Sequence, residues 1–291
     1  MKSLQIGSHA FDWGSRTYVM GILNITPDSF SGDGLAAGED AVAAALAQAR
    51  GFIEAGVDML DVGGESTRPG SETISAAEEI ARVVPVVQAL AAETDIPISI
   101  DTYKAETAAA ALDAGASLIN DVWGLRADPA LGPLAAAHDV PIILMHNRSN
   151  PQNAELRERL GGRYVGVEYE NLLEDIKSEL LGSVALARAA GIPDEHIILD
   201  PGIGFGKTRE QNLELLNRTD AICALGFPVL VGPSRKSFIG YTLDLPPDQR
   251  VEGTAAAAAV AITRGADIIR VHDVQALVRV ARMTDAIVRQ P

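Results

Sequence analysis

Ile98-Ser-Ile-Asp-Thr-Tyr-Lys-Ala-Glu-Thr-Ala-Ala-Ala-Ala-Leu-Asp-Ala-Gly-Ala-Ser-Leu-Ile-Asn-Asp121 holds one complete structural unit. Residues 98–101 form a short apolar run closed by a carboxylate. Residues 105–114 are rich in alanine, the strongest helix former. Residues 117–121 are a second apolar run, closed by Asn120 and Asp121. A strand that reads apolar throughout is buried on both faces, as in a parallel sheet covered by helices. The stretch therefore predicts a strand, a crossover helix and a second parallel strand.

Outward from that unit the same alternation covers the chain. Further strands are predicted at residues 18–25, 59–63, 142–146, 197–200, 229–232 and 268–271. Helices are predicted at 41–55, 76–92, 129–138, 169–190, 211–225, 251–264 and 274–289. Eight such units in sequence predict an α/β fold, a single eight-stranded parallel β/α (TIM) barrel. An open doubly wound sheet fits less well, because polar residues close nearly every strand rather than gathering at one switch point. Residues 2–15 predict a small hairpin ahead of the barrel, an N-terminal extension over residues 1–16. The polar stretch 147–169, with Gly161-Gly162, predicts a loop. Nothing in the composition divides the chain, so residues 1–291 are expected to form one domain.

The 291 residues are 47% hydrophobic, enough for a large core, yet no apolar run approaches the ~18 residues of a membrane span. Residues 1–13 lack the basic and apolar segments of a secretory signal. The net charge of −15 argues against nucleic-acid or anionic-membrane partners. The low aromatic content argues against base-stacking platforms. One cysteine, Cys223, allows no internal disulfide and makes the cytoplasm the default compartment.

Barrel active sites lie at the C-terminal strand ends. Here those ends carry Asn24, Asp61, Asp101, Asn120 with Asp121, Met145 with His146, Asp200, the segment Ser234-Arg235-Lys236-Ser237, and Arg270 with His272. Any one of them is explained by helix capping, but together they converge on one mouth. Asp101, Asn120 and Asp200 match the donors and acceptors of an amino-pyrimidinone edge. Lys236 is placed to donate to a ring nitrogen or carbonyl. Met145 and Phe205 suit the flat faces of a heterocycle, and suit ordinary core filling equally. Arg68, Arg270 and His272 supply positive charge suited to phosphate. Asn24 is a candidate ligand for a Mg²⁺ ion bridging a pyrophosphate. Gly202-x-Gly204-x-Gly206-Lys207-Thr208 is not a Walker A loop, since the first glycine's position is Pro201, and it reads as a tight turn.

Met20-Gly-Ile-Leu-Asn-Ile-Thr-Pro-Asp-Ser-Phe-Ser31 and Asp61-Val-Gly-Gly-Glu-Ser-Thr-Arg-Pro-Gly70 resemble the two signatures of dihydropteroate synthases. Further matches are Ile98-Ser-Ile-Asp-Thr-Tyr103, Ile119-Asn-Asp-Val122, Leu199-Asp-Pro-Gly-Ile-Gly-Phe-Gly-Lys207, Gly232-Pro-Ser-Arg-Lys-Ser-Phe238 and Arg270-Val-His-Asp273. They occur in family order across nearly the whole chain. The resemblance implies that Asp101, Asn120, Asp200 and Lys236 hold a pterin. It implies that Asn24, Arg68, Arg270 and His272 hold its pyrophosphate with Mg²⁺ at Asn24, and that Phe30, Thr67, Arg68, Pro69 and Ser237 shape a p-aminobenzoate pocket. Asp101, Lys236 and Arg270 are then the expected catalytic residues of an SN1-like displacement, and a homodimer is the expected assembly. One departure stands out: the family's first loop reads Ser-Asp-Gly-Gly, whereas here it is Ser31-Gly32-Asp33-Gly34. Two rivals remain. A methyltetrahydrofolate-corrinoid methyl transferase has no need of Thr67-Arg68-Pro69 or the Ser234 to Ser237 segment. A non-catalytic pterin-binding module would have lost Lys236, Arg68 or Arg270.

Overall fold

The computed structural model describes residues 3–26, 39–67, 71–150, 153–157, 159–165 and 168–289. The chain opens with an antiparallel hairpin of β1 (Ser3–Ile6) and β2 (His9–Asp12), paired from Ser3↔Asp12 to Ile6↔His9. Then follow β3 (Tyr18–Asn24), α1 (Glu39–Ala55), β4 (Met59–Gly63), α2 (Ala76–Glu93), β5 (Ile98–Asp101), α3 (Ala105–Asp113), β6 (Leu118–Asp121), α4 (Leu131–His138) and β7 (Ile142–Met145). A second hairpin, β8 (Ala154–Arg157) with β9 (Gly161–Tyr164), precedes α5 (Leu172–Ala189) and β10 (Ile197–Asp200). The chain ends with α6 (Arg209–Asn217), α7 (Thr219–Cys223), β11 (Leu230–Val231), α8 (Ser237–Leu243), α9 (Val251–Thr263), β12 (Ile268–Val271) and α10 (Val274–Val288).

Eight of these strands form one parallel sheet in the order β10-β7-β6-β5-β4-β3-β12-β11. Its two edges meet through a parallel bridge between Leu199 and Val229, where the Leu199 N–H donates to Pro228 O at 2.9 Å. The sheet is thus an eight-stranded barrel, as expected. Alternation along each strand sends one set of side chains out to the helices and the other inward. The inward set at the N-terminal end is Met20, Met59, Leu118, Ile143, Ile198, Leu230 and Ile268. It packs in one cluster with Leu4, Ile6, Phe11, Trp13 and Tyr18. The first hairpin therefore plugs the barrel floor, with Phe11 and Tyr18 rings 4.8 Å apart. Because the floor is apolar and closed, the inward polar residues gather at the opposite mouth.

Three expectations change. The stretch 147–169 carries β8 and β9, where Glu155 pairs with Arg163 in register and in a 2.6 Å ion pair, and Gly161 takes φ 71° at the turn. The helix expected at 211–225 breaks at Arg218 into α6 and α7. There the Thr219 hydroxyl donates to Leu216 O at 3.0 Å, a side-chain bond that competes with the helical ladder. Beyond the helices predicted from periodicity, α8 forms over Ser237–Leu243, too short to show a helical repeat.

Candidate active site

The centre of the mouth is an ion-pair cluster drawn from four strands. Arg270 on β12 reaches past β3, donating from Nε to Asp61 on β4 at 2.6 Å and from Nη2 to Asp101 on β5 at 2.5 Å. Asn120 on β6 donates from Nδ2 to the same Asp61 oxygen at 3.2 Å. Register sets this convergence, since Asp101 stands opposite Gly63 on one side and Asn120 on the other. Burial pushes the Asp101 carboxyl up to about 7; Arg270 opposes the shift, while Asp61 and Glu79 reinforce it. Burial also works against the Arg270 charge, but Asp61 and Asp101 more than offset it, and the guanidinium is held above its ordinary value.

Beside this cluster lies a second group of polar residues against an apolar wall. Asp200 ends β10 and accepts from the Gly202 N–H at 2.7 Å; burial raises its carboxyl to about 6, against the pull of that N–H and of Lys236. Phe205 packs with Met145 and Val122, flanked by Tyr103 and Trp123. Lys236, at the N-cap of α8, holds its ammonium 4.1 Å from the Phe205 ring centroid. Its stem runs along Gly204, where a Cβ would stand 2.9 Å from Lys236 Cδ. Met145, Phe205, Asp200 and Lys236 are thus brought together. Ser237 opens α8, half-buried.

At the third side, Asn24 Nδ2 lies 3.4 Å from His272 Nε2, while the His272 N–H donates to Ser234 Oγ at 3.1 Å, with Nδ1 3.0 Å from the same oxygen. Ser234, a strand-end residue to which the sequence assigns no role, fixes the ring. Arg235, expected at the mouth, instead forms an ion pair with Asp273 at 2.5 Å and takes φ 54°. Thr67 is half-buried where the described chain after β4 stops. Its loop is anchored by Glu65, which accepts from Tyr103 Oη at 3.1 Å and pairs with Lys104, itself 2.8 Å from Glu79. Phe30, Asp33, Arg68 and Pro69 lie outside the described residues.

The glycine-rich stretch is the expected turn. Gly202, Gly204 and Gly206 take positive φ, and a Cβ at Gly202 would fall 1.9 Å from His146 O. Lys207 points inward, and its ammonium lies 2.9 Å from Gly202 O, 3.1 Å from Phe205 O and 2.9 Å from His146 Nδ1. Burial lowers Lys207 to about 7 and His146 to about 4. His146 is not a mouth residue, because its Nε2 turns to Glu179, 3.2 Å away. Asp61, which joins Arg270 to Asn120, is the residue of this cluster to which the sequence assigns no role. Its signal was a lone carboxylate inside the run Met59-Leu60-Asp61-Val62, at the inward parity of Met59.

A protein family described as pterin binding enzyme matches residues 20–272 of the chain. A dihydropteroate synthase from Clostridium beijerinckii is 50% identical over 288 residues, spanning 99% of this chain and 100% of that one. The solved dihydropteroate synthase of Yersinia pestis, in complex with a sulfonamide drug, superposes with a TM-score of 0.87 at 40% identity over 98% of both chains. That of Xanthomonas albilineans, with 4-aminobenzoic acid, gives a TM-score of 0.88 at 39% identity over 99% of both.

Proposed function

The chain belongs to the dihydropteroate synthase family of pterin-binding enzymes, and we propose that its barrel mouth joins 6-hydroxymethyl-7,8-dihydropterin pyrophosphate to p-aminobenzoate, giving 7,8-dihydropteroate and pyrophosphate. The observation that carries this reading is the meeting of Asp101, Asn120, Asp200, Lys236 and Arg270 beside the apolar cluster of Met145 and Phe205.

Asp101, Asn120 and Asp200 take the N–H groups and carbonyl of the pterin edge, and Lys236 donates to the ring. Met145 and Phe205 cover a face of the ring. The methylene C–O bond breaks first, its electron pair leaving with pyrophosphate. Arg270, His272 and the loop residue Arg68 take up that growing charge. The cation left behind is delocalised into the pterin, and the Asp101 carboxylate lowers its energy. The amine of p-aminobenzoate, held by Thr67, Ser237, Phe30 and Pro69, then forms the C–N bond and releases its proton. The amine is the substrate's own nucleophile, so none is needed from the protein.

Mg²⁺ fits this donor set. The Asn24 amide nitrogen faces His272, which leaves one carboxamide oxygen. A single protein oxygen is what a Mg²⁺ ion otherwise held by water and phosphate takes. When bound it supplies charge neutralisation to the departing pyrophosphate.

Residues 1–291 act as one domain. Two copies pair through the outer faces of α9 and α10, a reading supported by the exposed Val260, Met283, Ile287 and Val288. The lone Cys223 supports the cytoplasm as the compartment. The test is dihydropteroate formation by the pure protein with Mg²⁺, each substrate omitted in turn. Product that needs both substrates supports the reading. Pterin binding without product overturns it in favour of a methyl transferase or a binding module.

A further inference from the structure

Asp61 sits inside the barrel with 0% exposure, one layer below the mouth. One of its oxygens, Oδ2, accepts from both Arg270 Nε at 2.6 Å and Asn120 Nδ2 at 3.2 Å. These donors belong to the two groups assigned above to opposite ends of the same substrate, Arg270 to the pyrophosphate and Asn120 to the pterin. The other oxygen, Oδ1, is buried with no hydrogen-bond partner among the described residues.

We infer that Asp61 is a positioning residue for the pterin pyrophosphate, fixing at once the direction of the Arg270 fork and the orientation of the Asn120 amide. The inference rests on the function proposed above and deepens it.

Two physical arguments carry it. An amide whose N–H₂ is committed to a carboxylate below must turn its carbonyl oxygen away from that carboxylate, so Asn120 offers the substrate an acceptor. The Arg270 fork is held at Nε, so exchanging the Nη2 contact from Asp101 to a phosphate needs only a rotation about a fixed point. That exchange would free the Asp101 carboxylate as the cation forms. The second argument is from stability. Asp61 and Asp101 together offset the buried charge of Arg270, but a buried carboxylate with one unsatisfied oxygen is costly to the fold. Charge balance alone does not require that cost.

The groups facing Asp101 are Arg270 from β12, Asp61 from β4, Glu79 from α2 and Lys236 from the start of α8. Asp61 adds negative charge to that set, and removing it favours the ionised form of Asp101. This gives a readout that a merely structural role would not move.

The experiment compares wild type with Asp61→Asn, of the same shape, with Asp61→Ser taking its place if the first does not fold. Wild-type formation of dihydropteroate is measured first, and its absence would overturn the proposed function rather than this inference. Given wild-type turnover, kcat/KM for pterin pyrophosphate is expected to fall about 10- to 100-fold in the variant. The acid limb of its pH profile is expected to move to lower pH by about one unit. The KM for p-aminobenzoate and the thermal midpoint are expected to hold. Wild-type kcat/KM in the variant overturns the inference. So does a loss of activity that follows a fallen thermal midpoint with the acid limb unmoved.

Discussion

Arg270 Nη2 stands 2.5 Å from Asp101 Oδ2, joining strands that are neighbours neither in sequence nor in the sheet. Both groups are needed for the proposed chemistry, and each holds the other's charge. In the proposed reaction the pyrophosphate would compete with Asp101 for the same guanidinium, so binding of the leaving group should be coupled to release of the carboxylate.

The Asp101 carboxyl is raised by burial to about 7, and its charged form is the useful one. Turnover at low pterin pyrophosphate should therefore fall as pH drops below about 7, approaching tenfold per unit further down. For stability the sign is opposite. The folded state keeps a proton that the unfolded chain has already lost, so this group's contribution declines as pH rises from about 4 to about 7. Asp101→Asn should flatten that part of the stability profile while abolishing most turnover. Chemical denaturation across the range, beside a kcat/KM profile, checks both.

Arg270→Ala should weaken binding of pterin pyrophosphate more than binding of the free pterin alcohol, by roughly 10- to 100-fold for the lost charged contact. Without the guanidinium the Asp101 carboxyl should titrate higher still. Calorimetric titration with the two ligands decides it, and equal losses would make Arg270 only a support.

Lys207→Met keeps the length of the side chain and removes its three hydrogen-bond contacts to Gly202, Phe205 and His146. The two carbonyls left buried should cost about 2 kcal/mol of stability, even after relief of the buried charge. Phe205 and Lys236 rest on that turn, so the KM for the pterin substrate should rise while kcat changes less. Denaturant melts and steady-state kinetics give the two numbers.

Gly202→Ala and Gly226→Ala form a matched pair, since both positions have positive φ, 71° and 88°. At Gly226 nothing lies within 4 Å of the added carbon, and about 1 kcal/mol of backbone strain is expected. At Gly202 the carbon meets His146 O at 1.9 Å, and the loss should reach about 3 kcal/mol with weaker pterin binding. Thermal melts of the pair test the assignment of the turn as steric.

The barrel was legible because its strands are buried on both faces and its helices are long enough to show a period. The run Ile98 to Asp101, its helix and the return strand read the same way in the sequence and in three dimensions. The hairpin at Ala154 to Tyr164 was not legible, because its pairing rests on cross-strand charge, Glu155 with Arg163, and on packing against Tyr241. A polar stretch of this kind shows no apolar alternation. The mouth was legible as a set of strand ends, since Asp101, Asn120 and Asp200 each close an apolar run and Arg270 stands one residue before the end of another. Asp61 was not assigned, because its role depends on which inward neighbours it meets, and only the strand register fixes that. His146 shows the reverse limit. It stands among the polar strand ends, yet it turns to Lys207 and Glu179 behind the loop.

The most direct measurement is rapid-quench detection of pyrophosphate after mixing the pure protein with Mg²⁺ and pterin pyrophosphate, with and without p-aminobenzoate. If the leaving group departs before the amine attacks, a first turnover of pyrophosphate should appear without p-aminobenzoate, and dihydropteroate should form once it is added. Release only in its presence would contradict that order. No release under either condition would contradict the reaction assigned to this mouth.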